Sequence, residues 1–569
     1  MRIRFIGPIS RVTGSCYHLV DDAKGAEYLV DFGLVQNEGG QIVDAEGGLP
    51  FDLSRIKQVF LTHAHLDHCG MIPYLYKLGY DGVVWCTRET AEIAKINLKD
   101  PASLNSMPYS KDDVDRVKWQ EPKGVPLLGR LKPFDTDRFM CFFRTSHIAG
   151  AVSIGITWGP KDRGQRTIVF SGDLGPNDAG RETQALLRYR MDARDVDYAV
   201  CESTYGDSVR DTLSWEQRLE ALFNALQGTI MSRGLAIVPA FAIGRSQDLI
   251  FDLAVLQARE PEALSDVDIV VDSPMGNRVS KVYAEALLRT DLIRGKNPKA
   301  MWLNSRLADW LGMDRTVEGE NLLRELVSSV LTGDAPPVGI AERFPGSLAA
   351  KIDGRRIERP TGRWTPRDGA ATVLIASGGM CSGGPVVEYL HKHLQFDSTT
   401  VVFPGYAAQG TLAYDLLRIR DVPVDERRRL SAEIKFPGSD DERRMAESDI
   451  RARIEKVAGY SGHADQQGLV DWLLPANTDV AVANTVFLSH GRDQARKALR
   501  EHLLERDSSL TVEVPETWQG FYDLDLGAWC DRESKETEVH GLRRRIEDLE
   551  AKLALLDGRK SNPSLRRAS

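Results

Sequence analysis

The stretch Val59-Phe60-Leu61-Thr62-His63-Ala64-His65-Leu66-Asp67-His68 opens as an apolar run of strand type and ends in three imidazoles and a carboxylate within six residues. Groups of this kind are costly to hold together unless something binds them. At a strand end that turns into a helix, His63 and His65 can point to one metal ion while Asp67 and His68 reach a second. Imidazole nitrogen with carboxylate oxygen suits Zn²⁺ above other common metals, with Mn²⁺ and iron next by ligand type. A helix-like stretch follows, ending near Gly79.

Working outward, residues 1–207 read as short strands punctuated by turns, at 26–32, 56–62, 82–86, 138–145, 167–171 and 198–202, with one long helix near 89–100. Helices follow strands without strict alternation, which predicts sheets covered by helices more than a doubly wound sheet. The pattern changes after Asp207. A helical segment at 215–231 leads to an apolar run at 235–239 and a helix starting near Gly244, and similar runs recur at 267–271, 372–376 and 399–403. Each passes through a Gly- or Pro-containing loop into a helix, the pattern of a parallel sheet with its loops at the strand C-termini. Residues 294–368 carry two Pro-rich stretches and read as an elaboration or lid. Residues 419–455 are strongly charged, and a solvated hairpin or helix pair is expected there. Val539, Leu542, Ile546, Leu549, Leu553 and Leu556 form a short heptad seam, which either pairs with another chain or packs on its own domain. A basic, disordered tail is expected from Gly558 onward.

Composition narrows the classes. With 569 residues, 42% hydrophobic and 27% charged, the chain is ordinary for a globular protein and long enough for several domains. No apolar run is long enough to cross a bilayer, so no membrane partner is expected. Seven scattered cysteines without a CxxC pair argue against a disulfide framework and a structural zinc, and fit a reducing cytoplasm. The net charge of −9 gives no basic footprint for nucleic acid. It does not exclude one, because carboxylates gathered around metal ions enter the same sum.

HxHxDH is the signature of the metallo-β-lactamase fold, and further stretches resemble that family in order. Thr145-Ser-His147-Ile-Ala-Gly150 resembles its His-before-Gly turn, and Val169-Phe-Ser-Gly-Asp173-Leu-Gly175 its strand-end SGD motif. The resemblance implies that His147 completes the first metal site and that Asp173 bridges both metals. Asp31, in Leu29-Val-Asp31-Phe-Gly33, matches the Asp that braces the metal loop without ligating. Cys201-Glu202-Ser-Thr-Tyr-Gly-Asp207 looks like the first motif of the β-CASP group, whose members insert a second α/β domain. Ser461-Gly-His463-Ala-Asp465 looks like its second motif and Leu488-Ser-His490-Gly491 its third. The stretches beginning at Pro239, Asp272, Ala376 and Gly405 resemble parts of the insert. Six of the eleven histidines fall in these motifs. Ala407, Ala408 and Ala413 depart from the group's pattern, which bears on substrate preference and not on metal chemistry.

The resemblance implies an α/β protein: a metallo-β-lactamase αββα sandwich with an inserted β-CASP parallel α/β domain and a short C-terminal heptad helix. The first part of the outer domain is expected over 1–208, the insert over 209–412, the second part over 413–530, and the heptad helix and tail over 531–569. It further implies a zinc-dependent ribonuclease using a two-metal hydroxide mechanism and leaving a 5′-phosphate and a 3′-hydroxyl. The expected metal ligands are His63, His65, Asp67, His68, His147, Asp173 and His490, holding two Zn²⁺. Asp67, His463 and Glu202 are the expected catalytic residues, with His463 serving the leaving oxygen and Glu202 orienting its ring. A histidine at position 490 goes with the RNA-processing members, so single-stranded RNA is the expected partner. Gly244, Arg245, Ser377, Gly378 and Gly379 are candidate RNA-phosphate contacts through backbone N–H groups in Gly-rich turns, although tight-turn geometry also explains those glycines. The seam at 539–556 would serve a homodimer or a protein partner. Two alternatives remain at this stage: a DNA-directed nuclease and a catalytically silent RNA-binding subunit.

Overall fold

A computed structural model of the chain describes residues 1–530 except 8–9, 36–48, 103–106, 125, 161–163, 177–184, 189–192, 194–195, 211–212, 292–298, 353–356, 361–363, 366–368, 439–442, 476–480 and 517–519. The heptad seam and basic tail expected over 531–569 lie outside the described residues.

The HxHxDH run leaves strand Ile56–Phe60, which sits inside an eight-stranded mixed sheet. In spatial order that sheet is Ala528–Cys530, Phe521–Asp523, Arg2–Phe5, Tyr17–Asp21, Ala26–Val30, Ile56–Phe60, Val83–Trp85 and Trp119–Gln120. A seven-stranded sheet faces it, ordered Thr511–Glu513, Ala483–Ser489, Val196–Glu202, Arg166–Phe170, Val152–Trp158, Arg138–Arg144 and Lys132–Asp135. Aromatic rings fill the space between them: Phe5 lies 5.4 Å from Phe487 and Tyr17 5.3 Å from Phe170, centroid to centroid. Behind the second sheet, helices Gln466–Leu473 and Asp493–Arg506 bury Trp472, Leu499 and Leu503 against Val169, Ala199 and Leu488. Helices Ile72–Lys77 and Arg88–Ala102 belong to the first sheet's side. The layers are therefore αββα, as the motif order implies.

Two of the expected strands stop short. Those expected over 26–32 and 56–62 end at Val30 and Phe60, where the chain leaves the sheet so that the Asp31 carboxylate meets Thr62 and His68. Strand Val152–Trp158, buried at all seven positions, was not expected. Its sequence does alternate Val152, Ile154, Ile156 and Trp158 with Ser153, Gly155 and Thr157, the pattern of a half-buried strand, and the small size of the alternate residues lets both faces be covered.

The insert is built on a five-stranded parallel sheet in the order Val267–Asp272, Ala371–Ser377, Leu235–Ala240, Thr399–Phe403 and Arg453–Lys456. Helix Trp215–Met231 starts from a Ser214–Gln217 capping box, and helix Pro274–Leu288 from Ser273 with proline in its first turn. The elaboration within 294–368 includes helix Val317–Thr332, which buries Leu323, Leu326, Val327 and Leu331 in the insert's core instead of standing over a cleft. The boundary expected at 412 needs correction. Strand Arg453–Lys456 pairs in parallel with Thr399–Phe403, so the insert's sheet closes only after residue 453, and the outer domain's sheet resumes at Ala483. The charged segment between them holds a two-stranded hairpin, Glu433–Lys435 with Arg444–Ala446. Among the described residues, no helix is long and apolar enough to cross a membrane.

Candidate metal centre

Asp31 organises the metal loop. With φ 57° it leaves its strand in the left-handed region and turns its carboxylate back onto the next strand end. There it accepts the Thr62 N–H at 2.8 Å, the Thr62 hydroxyl at 2.8 Å and His68 Nδ1–H at 2.7 Å. Gly33 lets this turn lie against the HxHxDH loop: a Cβ there would stand 1.7 Å from the Asp67 carbonyl oxygen. Further along the chain, His490 Nδ1 meets the Ser15 hydroxyl at 2.8 Å, and His147 Nδ1–H donates to the Gly462 carbonyl at 2.5 Å. In His68, His147 and His490 the outward nitrogen is thus engaged, which fixes the ring and leaves Nε2 aimed inward.

The inward atoms form two groups of four that share Asp173: His63, His65, His147 and Asp173 in one, and Asp67, His68, Asp173 and His490 in the other. Within the first, His65 Nδ1 lies 3.2 Å from His63 Nε2 and 3.0 Å from His147 Nε2, and Asp173 Oδ2 lies 3.4 Å from His63 and 3.5 Å from His147. Within the second, Asp173 Oδ1 lies 3.1 Å from His68 Nε2 and 3.5 Å from His490 Nε2, while Asp67 stands 3.8 Å from His490. The structure therefore brings together all seven residues singled out in the sequence as metal ligands.

The donor set suits a cation on direct evidence. His68 Nε2, His490 Nε2 and Asp173 Oδ1 are buried and make no hydrogen bond among the described residues, although they converge on one point. Buried polar atoms are almost always paired, and three orphans facing one another beside Asp67 are what a divalent ion would satisfy. Titration of the first group fits the same picture, whereas at His68 burial opposes a charged ring but Asp173 and Asp31 outweigh it and raise its pKa well above the ordinary value. Burial holds the His65 pKa down to about 3, and drives that of His147 well below its ordinary value despite Asp173, so both rings present lone pairs. Burial opposes ionisation of Asp173 too, but the surrounding imidazoles outweigh it and hold its carboxyl well below the usual range.

A third group adjoins the first two. Glu202 accepts from His463 Nδ1 at 3.0 Å, and His463 Nε2 lies 3.8 Å from Asp173. Burial works against a charged ring, and Glu202 with Asp173 outweigh it, so the His463 pKa lies above its ordinary value. Glu202 is itself held by the Leu174 N–H at 2.5 Å and the Thr204 hydroxyl at 2.6 Å, and Arg210 reaches the His463 carbonyl at 2.6 Å.

The candidate phosphate contacts divide. Gly244, at φ 84°, caps helix Arg245–Arg259, and the Arg245 guanidinium lies over Gly462 beside His147 and His463. Ser377 ends its strand at the same carboxyl edge of the sheet. Gly378 is different. Its N–H donates to the Ala240 carbonyl at 3.2 Å, so it is engaged in the sheet and does not serve as the phosphate donor expected of it. Gly379 lies beneath the Phe241 ring. The sequence reading missed Ser15, Thr62, Thr204 and Arg210. Ser15 and His490 stand 475 positions apart, and no motif spacing could have joined them. Thr62, next to His63, and Thr204, inside the motif that carries Glu202, did have a local signal.

Comparison with protein families matches residues 10–188 to the metallo-beta-lactamase superfamily, 246–416 to the Beta-Casp domain and 447–515 to the Zn-dependent metallo-hydrolase RNA specificity domain. Ribonuclease TTHA0252 of Thermus thermophilus is 27% identical over 526 residues, covering 90% of this chain and 98% of that protein. Transcription termination factor FttA of Methanothermobacter thermautotrophicus is 24% identical over 530 residues, covering 90% of this chain and 71% of that protein. An RNase J-like protein of Methanocaldococcus jannaschii is 24% identical over 478 residues, covering 83% of this chain and 89% of that protein. With an αββα sandwich, a parallel insert and three models matched in order over more than half its length, the chain belongs to the β-CASP group of metallo-β-lactamase-fold hydrolases.

Proposed function

We propose that this protein is a zinc-dependent ribonuclease that hydrolyses phosphodiester bonds of single-stranded RNA and leaves 5′-phosphate and 3′-hydroxyl ends. The observation that carries the reading is the pair of four-donor groups sharing Asp173, with the Glu202–His463 pair at their edge. In this reading His63, His65, His147 and Asp173 hold one Zn²⁺, and Asp67, His68, Asp173 and His490 hold another. When bound, such a pair supplies a water nucleophile at neutral pH and neutralises charge developing on the phosphate.

The chain's own residues supply the rest. His463 Nε2–H, kept protonated by Glu202, donates its proton to the departing 3′ oxygen, and the Nδ1–Glu202 bond fixes the ring for that transfer. The Arg245 guanidinium pairs with a non-bridging phosphate oxygen. Asp67, whose side chain is 24% exposed, orients the incoming water. Residues 1–208 and the returning chain up to 530 form one wall of the RNA cleft, and the insert forms the other.

RNA as substrate is supported by the RNA specificity model at 447–515 and by relatives named as ribonucleases. Metal analysis together with product-end chemistry tests the proposal. Two zinc ions per chain and products that a 5′-phosphate-dependent exonuclease degrades are expected. Products ending in 2′,3′-cyclic phosphate would overturn it, because they arise from attack by the ribose hydroxyl and not by water.

A further inference from the structure

Phe241 and Tyr406 are 46% and 50% exposed, and both stand at the carboxyl edge of the inserted sheet. Phe241 directly follows strand Leu235–Ala240, and Tyr406 lies just past strand Thr399–Phe403. Exposed apolar side chains scattered singly need no explanation, but these two are connected. The Phe241 ring covers Gly379 so closely that a Cβ there would stand 2.9 Å from it. The next residue, Met380, receives the Ala408 N–H on its sulfur at 3.5 Å and the Ala413 N–H on its carbonyl at 3.3 Å. That places the loop carrying Tyr406 against the loop beneath Phe241.

The two ends of this rim reach the metal centre. The Tyr406 hydroxyl lies 3.5 Å from Arg492 Nη2, and Arg492 belongs to the turn that carries His490. At the other end, Phe241 leads into Gly244, where an added Cβ would meet Ile148, the neighbour of His147, at 3.2 Å. Two aromatic rings and a methionine on the insert therefore border the candidate site, with Arg492 of the outer domain meeting them at Tyr406.

Rings left this exposed gain little from burial on folding. They do suit the faces of unpaired bases, which stack on aromatic side chains whatever the base, while arginines alongside track the phosphates. A duplex keeps its base faces covered and offers them nothing.

Resting on the ribonuclease reading, we infer that Phe241 and Tyr406 form a stacking platform for unpaired bases of single-stranded RNA, with Arg492 pairing the backbone on its way to the metal centre. The platform selects single strands over duplex and is indifferent to sequence.

The test uses the full-length zinc-loaded protein and cleavage-resistant phosphorothioate oligomers: a single-stranded RNA, its duplex, and an abasic strand of equal length and charge. Phe241→Ala and Tyr406→Ala are each expected to weaken binding of the base-bearing strand by about 5- to 100-fold, the scale of one lost base stack. The abasic strand is expected to bind the variants within about twofold of the wild type, and Phe241→Trp to restore base-dependent affinity. Unchanged zinc content and melting temperature establish that the variants fold. Alanine variants that hold the base-bearing strand as tightly as the wild type would overturn the inference, as would equal losses on both strands. If the wild type cleaves RNA but shows either result, the stacking platform falls alone. If the wild type neither binds nor cleaves RNA, the ribonuclease reading falls first and takes the platform with it.

Discussion

Asp31, Ser146 and His490 all have φ between 50° and 57°, a left-handed conformation that non-glycine residues rarely adopt. Each sits where the chain must bend sharply to deliver a donor, and each costs about 1–3 kcal/mol that its surroundings offset. At Asp31 the offset is visible as three hydrogen bonds to Thr62 and His68. Asp31→Ala removes all three and frees the His68 ring, so zinc affinity is expected to fall about 10- to 100-fold. Competition against a chelating dye measures this, and an unchanged affinity contradicts the bracing role. His463 is a member of neither four-donor group. His463→Ala is expected to keep its zinc and to lose RNA cleavage by about 100-fold or more, while a rate near the wild type's removes His463 from proton transfer. At this scale the HxHxDH spacing made the cluster legible, because one short run carries four of its seven donors. The supporting hydroxyl of Ser15 was not legible. Serine is common everywhere, and only the closed fold brings this one to His490.

Helix Arg245–Arg259 does more than start at the site. Its Asp252 accepts from Trp215 Nε1 at 2.8 Å, Arg218 Nη2 at 3.0 Å and the Tyr460 hydroxyl at 2.7 Å. Tyr460 immediately precedes Ser461-Gly-His463, so this buried knot ties the returning chain, and with it His463, to two helices of the insert. Asp252→Ala takes the carboxylate away from buried Arg218 and is expected to cost about 3–5 kcal/mol in chemical denaturation; a loss below about 1 kcal/mol contradicts the knot. One turn earlier, burial pushes the Asp248 carboxyl up to about 6. A carboxyl raised in the folded state contributes stability below its unfolded value, and loses that contribution as pH climbs from about 4 through about 6. Asp248→Asn is therefore expected to match the wild type near pH 4 and to be more stable above pH 6.5, by up to about 3 kcal/mol. Denaturation curves across that range show it, and a difference that does not change with pH contradicts it. Apolar strands such as Leu235–Ala240 could be read directly from the sequence. Arg453–Lys456 could not, because an edge strand with Arg, Glu and Lys in four residues carries the same pattern as a solvated hairpin.

Across the whole molecule, the seven donors come from four separated regions of the chain and draw on both facing sheets. The strands that lead into Asp67 and into His490 belong to different sheets, so the centre forms only when the sandwich closes. The ordered motifs made this architecture legible, since each resembles a known turn and their sequence along the chain fixes the layers. The domain boundary was less legible: the insert takes its last strand from chain already assigned to the outer domain, and only hydrogen bonding across the sheet reveals it. The proposed activity is zinc-dependent hydrolysis of single-stranded RNA at this centre. A time course on 5′- and 3′-labelled single-stranded RNA, with zinc, with chelator, and beside DNA of matching sequence, is its decisive check. RNA cleavage that chelation abolishes and added zinc restores is expected, with the DNA left intact. Cleavage that survives chelation, preferential cutting of DNA, or no cleavage of RNA at all contradicts it.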